Sequence, residues 1–323
     1  MTPSAAPDSG NVWVASPRGF CAGVSYAIEI VDRLLDRYGP PVWVRHEIVH
    51  NRYVVERLRS RGARFVDDLA DVPPDSLLVF SAHGVAPSVR EEARGRGLRV
   101  VDATCPLVTK VHLEALRFAR EGYDILLVGH RGHVEVEGTL GHAPDQIRLV
   151  ETEDDVDRIA VRDPDRVAVI TQTTLSVDDT RAILAAIRRR FPSVRLPKKD
   201  DICYATQNRQ QAVKELAGRT DLVLVLGSAA SSNARRLVEV GIGRGTRTQR
   251  IEDASMLEPE MLAGVRSIGV TAGASTPEAL VEETVARLRE LGWTEPRELV
   301  TAHEDVAFPL PREVRDAAAG TGR

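Results

Sequence analysis

Three cysteines are the residues of this chain whose type and spacing could do chemistry. Cys21, Cys105 and Cys203 recur at comparable intervals along 323 residues, and a segment with helical periodicity follows each of them. The N-terminus of a helix offers unpaired N–H groups and the positive end of the macrodipole, so it stabilises a thiolate, the form that binds metals or attacks. The pattern therefore predicts three similar units that converge on one sulfur-rich site.

The residue types alone leave the role of these thiols open. A single cysteine usually acts as a small buried hydrophobe, but here three share one context. Disulfides are disfavoured, because the cysteine count is odd and the first ten residues, MTPSAAPDSG, predict a disordered start and no secretory signal. Zinc normally takes four ligands, often in Cys-x₂₋₄-Cys pairs that the sequence lacks, and a Cys₃His zinc site stays an alternative. Three thiolates suit a [4Fe–4S] cluster with one iron open to substrate, which the spacing favours only slightly.

Composition is typical of a globular protein of a reducing, cytoplasmic compartment. The hydrophobic fraction is 43% and the charged fraction 28%, and the length predicts two or three domains. A net charge of −4 and an aromatic content of 4% argue against a nucleic-acid partner. No stretch approaches the roughly twenty apolar residues that a membrane span needs, so no membrane partner is expected.

Short apolar runs alternate with helical patterns, which predicts an α/β fold with mainly parallel sheets covered on both faces. The predicted strands are Asn11–Ala15, Pro41–Arg45, Leu77–Ser81, Leu98–Asp102, Asp124–Gly129, Arg166–Thr171, Asp221–Gly227 and Arg266–Thr271. The predicted helices follow Cys21, Asn51, Pro87, Cys105, Ser176, Cys203, Ser232 and Pro277.

Polar side chains gather after the predicted strands, where open α/β sheets bind their ligands. These residues are His83, His130, His133, Glu135, Thr173, Ser231, Ser232, Asn233 and Ser275, and His46 and His50 follow a further strand. A lone histidine after a strand is usually structural, and Ser-Ser-Asn alone is only a good helix cap. Their repetition at several strand ends predicts a pocket for an anion, most naturally phosphate or diphosphate.

Long motifs in this order resemble the 4-hydroxy-3-methylbut-2-enyl diphosphate reductase family, the iron–sulfur reductases of the methylerythritol phosphate route to isoprenoids. The matching segments are PRGFCAGV, VRHEIVHNRYVVE, FSAHGV, DATCPLVTKVH, GHRGHVEVEGT, TQTTLSVDD, KKDDICYATQNRQ, GSAASSN and TAGAS. The resemblance implies three similar α/β lobes, arranged pseudo-threefold around one oxygen-sensitive [4Fe–4S] cluster per chain. We expect the lobes at residues 22–104, 105–202 and 1–21 with 203–292, followed by a C-terminal tail at 293–323.

The resemblance also implies roles for individual residues. The three cysteines match the cluster ligands, and Glu135 with Thr173 matches the pair that handles protons beside the substrate hydroxyl. The residues that match the diphosphate site are His50, His83, His133, Ser231, Ser232, Asn233 and Ser275. His46, His112 and His130 match no family site, and we interpret them as structural. Val134 departs from the family's usual proline, which predicts a less rigid loop around Glu135.

The implied reaction is the reductive dehydroxylation of (E)-4-hydroxy-3-methylbut-2-enyl diphosphate to isopentenyl and dimethylallyl diphosphate. It consumes two electrons, for which ferredoxin or flavodoxin is the expected donor, and two protons. Around the diphosphate site, Ala229 and Ala230 replace a common Lys-Asn pair, and Ala234 and Arg235 a frequent Ser-Asn pair, so we expect altered edges of an intact site. Two other functions stay as alternatives: a hydro-lyase with a three-cysteine cluster, and a non-catalytic iron–sulfur sensor.

Overall fold

The computed structural model describes residues 10–315 and contains three parallel sheets. The strands are β1 (Asn11–Ser16), β2 (Val42–Arg45), β3 (Ala63–Val66), β4 (Leu77–Phe80), β5 (Arg99–Asp102), β6 (Asp124–Val128), β7 (Ile147–Val150), β8 (Val167–Thr171), β9 (Leu222–Leu226), β10 (Arg247–Ile251), β11 (Ser267–Ala272) and β12 (Arg297–Val300). The helices are α1 (Ala22–Tyr38), α2 (Arg52–Ser60), α3 (Pro87–Gly95), α4 (Pro106–Arg120), α5 (Val134–Leu140), α6 (Glu153–Arg158), α7 (Val177–Arg190), α8 (Tyr204–Ala217), α9 (Ser232–Gly243), α10 (Glu278–Glu290) and α11 (Arg312–Arg315). The predicted disordered start falls largely on residues 1–9, which lie outside the described range.

The sheets have five, four and three strands. Their strand orders are β10-β9-β11-β1-β12, β3-β2-β4-β5 and β7-β6-β8, and the paired strands run parallel. Parallel strands need crossover connections, which the intervening helices supply. This architecture confirms the predicted α/β class with mainly parallel sheets.

The inner strands explain why the sheets form. The segments DILLV of β6 and LVLVL of β9 are buried at every position, because helices cover both faces of a parallel sheet. Several helix starts also carry the expected caps. Ser176 accepts a hydrogen bond from the Asp179 N–H at the start of α7, and acidic residues occupy the first turn of that helix.

Four strands and three helices were not predicted from the sequence. The strands are β3, β7, β10 and β12, and each lies at the edge of its sheet. Their sequences, ARFV, IRLV, RTQRI and RELV, mix arginine or glutamate with apolar residues, since one side of an edge strand meets solvent. The unpredicted helices α5, α6 and α11 have at most seven residues, too few to display helical periodicity.

The chain divides into two compact units. Among the described residues, one unit contains 10–21, 50–52 and 204–306 and holds the five-stranded sheet, and the other contains 22–49, 53–203 and 307–315 and holds the other two sheets. The lobe boundaries expected from the sequence stay a prediction. Across residues 10–315, the helices fall short of the length and apolar character that crossing a membrane requires.

Candidate functional site

The three cysteines occupy the same place in the secondary structure. Helices α1, α4 and α8 each begin one residue after a cysteine, which confirms the predicted helix starts. Each cysteine N–H donates to a carbonyl in the segment that follows a strand. The pairs are Cys21 to Ala274 at 3.2 Å, Cys105 to Ala82 at 3.0 Å and Cys203 to Thr173 at 3.1 Å. One local geometry therefore recurs three times, with each cysteine directly before the first residue of a helix.

The donor chemistry of these cysteines fits an iron–sulfur cluster. All three are reduced cysteines of intermediate exposure, and thiolates select zinc or iron–sulfur clusters over hard cations. Cys21 belongs to the first compact unit, and Cys105 and Cys203 belong to the second. Within residues 10–315, histidine, cysteine, aspartate and glutamate form no group of three or more that stands ready around a metal ion. The assignment of the three cysteines as cluster ligands therefore stays a prediction.

A buried acid lies at the end of β8. Glu135, in the first turn of α5, is 3% exposed, and both of its carboxyl oxygens accept hydrogen bonds from Thr173. The Thr173 N–H donates to Oε1 at 2.7 Å, and the Thr173 hydroxyl donates to Oε2 at 2.9 Å. The structure thus brings together the two residues that the sequence assigned to proton handling.

The surroundings of Glu135 set its protonation. Burial raises its pKa to about 7, against the two hydrogen bonds from Thr173, which lower it, and the nearby charge of Asp201 raises it further. A carboxyl group with such a pKa carries a proton in a large fraction of molecules at neutral pH. Glu135 can therefore hold and release a proton, as a general acid must.

Two histidine rings meet at the start of the helix that carries Glu135. The rings of His83 and His133 meet edge to face, with their centroids 6.1 Å apart. His133 caps helix α5, and its Nδ1 accepts the Glu135 N–H at 3.1 Å, so the neutral ring carries its proton on Nε2. That Nε2–H is a donor suited to an anionic oxygen. His83 Nδ1 lies 3.2 Å from the Ser81 hydroxyl.

The second group of predicted anion-binding residues lies at the N-terminus of α9. Ser231 caps this helix by accepting the Ala234 N–H, and Ser232 and Asn233 form its first turn. The Asn233 side chain is buried, yet within residues 10–315 neither its oxygen nor its nitrogen finds a hydrogen-bond partner. Buried amides are normally paired, so this one is a donor and acceptor left ready for a ligand.

Ser275 and His50 meet in the same compact unit. The Ser275 hydroxyl donates to the His50 carbonyl at 3.0 Å, which ties the loop after β11 to the segment before α2. Ala234, one of the departures from the family pattern, is fully buried. A Cβ added at Gly227 would lie 2.6 Å from the Ala234 Cβ, so position 227 requires glycine beside this alanine.

A stacked histidine pair supports the loop that carries His83. The rings of His112 and His142 lie 4.0 Å apart at 27°. Gly84 has φ +78°, and a Cβ there would come within 2.5 Å of His112 Cε1, so the loop rests directly on that ring. Burial lowers the pKa of His112 to about 3, helped by His142 and Arg90. His112 is therefore neutral, in agreement with the structural role expected from the sequence.

We expect His112→Phe to make the protein less sensitive to acid. The folded pKa of about 3 lies below the unfolded value, so between them the unfolded chain binds the extra proton and the free energy of unfolding falls as pH falls. Phenylalanine removes this proton, so the loss between pH 6 and pH 4 should shrink by about 1 kcal/mol per pH unit. Urea unfolding of both proteins at several pH values measures the slope. Equal slopes would contradict the prediction.

We expect Val134→Pro to stabilise the protein. Val134 is the first residue of α5, where proline is favoured, and His133 before it has the extended conformation that a following proline requires. The gain should be about 0.5 kcal/mol in the free energy of unfolding, because proline restricts the unfolded chain. Thermal unfolding compares the two proteins, and unchanged or lower stability would show that the valine side chain contributes more through packing.

Sequence reasoning missed four buried charged or ion-paired residues. Lys110 pairs with Asp201, and Arg209 pairs with Glu304. Lys110 and Arg209 follow Cys105 and Cys203 by five and six residues, and a basic residue within two turns of each cysteine is the one signal that the sequence offers.

Comparison with known proteins identifies the family. The profile of the LytB protein family matches residues 12–289. The 4-hydroxy-3-methylbut-2-enyl diphosphate reductase of Hahella chejuensis is 56% identical over 309 residues, covering 94% of this chain and 98% of its own. The enzyme of the same name from Bordetella pertussis is 54% identical and covers 99% of both chains.

A solved structure agrees with these matches. The E-1-hydroxy-2-methyl-but-2-enyl-4-diphosphate reductase from Plasmodium falciparum superimposes with a TM-score of 0.93 at 39% identity, covering 97% of this chain and 99% of that one. The motif-based resemblance is confirmed in both sequence and fold. The chain belongs to the LytB protein family.

Proposed function

We propose that this protein is a 4-hydroxy-3-methylbut-2-enyl diphosphate reductase. It removes the hydroxyl group of the allylic diphosphate as water, consuming two electrons and two protons, and forms isopentenyl and dimethylallyl diphosphate. The observation that carries the proposal is the buried Glu135–Thr173 pair, an acid with a pKa of about 7, in a chain with three helix-initiating thiols. Relatives named as this reductase, at 54–56% identity over almost the whole chain, support it.

Cys21, Cys105 and Cys203 are the residues that would hold one [4Fe–4S] cluster. When bound, a cluster with three cysteine ligands supplies electrons and an open iron that acts as a Lewis acid. Hydroxide is a poor leaving group, so the hydroxyl must be protonated as its bond to carbon breaks. Glu135 gives that proton, and the Thr173 hydroxyl keeps the carboxyl group oriented.

The diphosphate is the part of the substrate that fixes its position. His133 offers an Nε2–H, Asn233 offers an unpaired buried amide, and the N-terminus of α9 favours negative charge. The residues that we assign to this role are His50, His83, His133, Ser231, Ser232, Asn233 and Ser275. Binding energy from the unreacting diphosphate then orients the reacting carbon and lowers the entropic cost of reaction.

The electrons come from a separate protein in this proposal. A ferredoxin or flavodoxin of the cytoplasm is the class of donor that membership of this family implies.

Anaerobic purification tests the proposal directly. We expect about four irons and four labile sulfides per chain, and turnover of the allylic diphosphate only when a chemical reductant is present. Cys105→Ser is the matched variant, since it should lose iron and turnover together while the fold survives. Stoichiometric zinc without sulfide would contradict the cluster. Conversion of the substrate without reductant would indicate a hydro-lyase, and a cluster without turnover would indicate a sensor.

A further inference from the structure

Long basic side chains on two cysteine-initiated helices reach the segments that lead into other cysteines. We propose that Lys110 and Arg209 are positioning residues, which fix the main chain before Cys203 and Cys21 respectively. The inference deepens the proposed function, because the fixed segments carry two of the three proposed cluster ligands. The contacts of Lys110 lie within one compact unit, and those of Arg209 lie within the other.

Lys110 lies on α4 and holds the segment before Cys203. Its Nζ donates to the carbonyls of Lys199 at 2.7 Å and Asp200 at 3.2 Å, and to Asp201 Oδ1 at 2.7 Å. Three donors are all that an ammonium group has, and here three successive residues accept them. This arrangement fixes the path of the main chain as well as one side chain.

Asp201 extends the same contact to the strand beside Glu135. Its side chain is fully buried, and Oδ2 accepts the Thr171 N–H at 2.9 Å. Thr171 ends β8, two residues before Thr173, whose carbonyl accepts the Cys203 N–H. One ion pair therefore connects helix α4, the end of β8 and the segment that presents Cys203.

Arg209 lies on α8 and holds the segment before Cys21. Its side chain is 0% exposed, and Nε and Nη2 both donate to the Gly19 carbonyl, at 3.1 and 2.7 Å. Gly19 has φ +63°, a backbone conformation that the segment before the cysteine must keep. Glu304 supplies the opposite charge at 2.9 Å from Nη1.

The cost of burying a charge argues against an incidental role, fully for Arg209, whose side chain is 0% exposed, and in part for Lys110, whose side chain is 30% exposed. A buried cation is expensive unless its charge is paired and its donors are satisfied, and well-packed apolar residues often give equal stability. Both side chains instead spend their donors on main-chain carbonyls one to four residues before a cysteine. Such directional bonds specify a backbone position that apolar packing would leave free to shift.

Hydrogen exchange of the full-length protein, with and without its cluster, tests the proposal. In the cluster-free chain, Lys110→Met should speed exchange about tenfold at residues 199–203 and leave residues 18–21 unchanged. Arg209→Met should do the reverse. In the loaded protein, each variant should release iron to a chelator faster than the wild type. Exchange that stays unchanged at both segments, or rises equally at both, would overturn the proposal.

Control variants separate positioning from the penalty of an unpaired charge. Lys110→Met with Asp201→Asn removes this pair of charges but keeps an acceptor for the Thr171 N–H, and Arg117 still pairs with Glu114, so most of the lost stability should recover while residues 199–203 still exchange fast. Arg117→Met and Gln211→Met, on α4 and α8, should leave both segments unchanged, because their hydrogen-bond partners, Glu114 and Glu215, lie on their own helices. If recovery of stability also restored slow exchange, Lys110 would merely neutralise Asp201.

A replacement variant and a measurement of iron content separate the positioning role from misfolding and from loss of the cluster. If Arg209→Met does not fold, Arg209→Lys serves instead, since one ammonium cannot reproduce the paired bonds to Gly19, and exchange should rise at residues 18–21 alone. If the wild type binds no iron, the proposed function fails while the selective exchange pattern can still hold. If the wild type binds iron but the pattern is absent, only the positioning role fails.

Discussion

Glu135→Gln will lower turnover by about 10²- to 10⁴-fold, the usual contribution of a positioned general acid. The glutamine oxygen can still accept the Thr173 N–H, and the Thr173 hydroxyl can turn to accept from the new amide, so the local structure should persist. The amide cannot release a proton to the substrate hydroxyl. Steady-state rates with a chemical reductant measure the loss, and calorimetry should find substrate affinity nearly unchanged.

Glu137→Gln is the matched control for this experiment. Glu137 lies in the first turn of the same helix but is exposed, so the same chemical change there should leave turnover near the wild-type value. Near-normal turnover of Glu135→Gln would remove Glu135 from the proton path. Loss of iron from that variant would instead show that the carboxyl group acts on structure.

The pH dependence of the wild type should report the same group. Because the acid form of Glu135 is the active one and burial raises its pKa to about 7, turnover should fall as pH rises above 7. The free energy of unfolding should also fall as pH rises. Between its unfolded pKa and 7 the folded protein binds the extra proton, so the free energy of unfolding contributed by Glu135 falls as pH rises through that range. The dependence of turnover should be absent from Glu135→Gln, and the pH slope of its stability should shrink but persist, because burial raises the pKa of Asp201 as well.

The inner strands of the sheets were predictable, and most of the edge strands were not. Strands such as β6 and β9 are recognisable in the sequence as continuous apolar runs, because helices cover both faces of their sheets. Edge strands such as β3 and β10 carry arginines among apolar residues, so they resemble loops. Their identity comes from pairing with a neighbouring strand, which a local pattern does not contain.

Some features of the candidate site were also predictable from the sequence, and others were not. Glu135 and Thr173 were predicted as a pair from their motifs, and the structure brings them within hydrogen-bond distance. The pKa of Glu135 was not predictable, because it depends on burial by residues distant in sequence. Lys110 and Arg209 resemble ordinary charges of amphipathic helices, and only their contacts with main-chain carbonyls separate them from surface residues.

Asn233→Leu should stabilise the protein and weaken its binding of diphosphates. The buried Asn233 amide makes no hydrogen bond within residues 10–315, so it carries a desolvation cost of about 1 to 3 kcal/mol that an apolar side chain avoids. Leucine has the same branching and the same number of heavy atoms. We expect the free energy of unfolding to rise by about 1 kcal/mol, and diphosphate affinity to fall at least about tenfold because a ligand donor is lost.

Asn208→Leu gives the same substitution with the opposite expected sign. The Asn208 amide donates to Glu304 Oε1 at 3.0 Å in the same compact unit, so its removal should lower the free energy of unfolding. Urea unfolding of both variants, with and without inorganic diphosphate, compares them. Diphosphate should stabilise wild type and Asn208→Leu but hardly affect Asn233→Leu. If Asn233→Leu were destabilised and kept its affinity for diphosphate, the amide would have a structural partner in solution. The expected result is a higher free energy of unfolding with a lower diphosphate affinity. It would mean that the chain gives up stability at Asn233 to recognise its substrate.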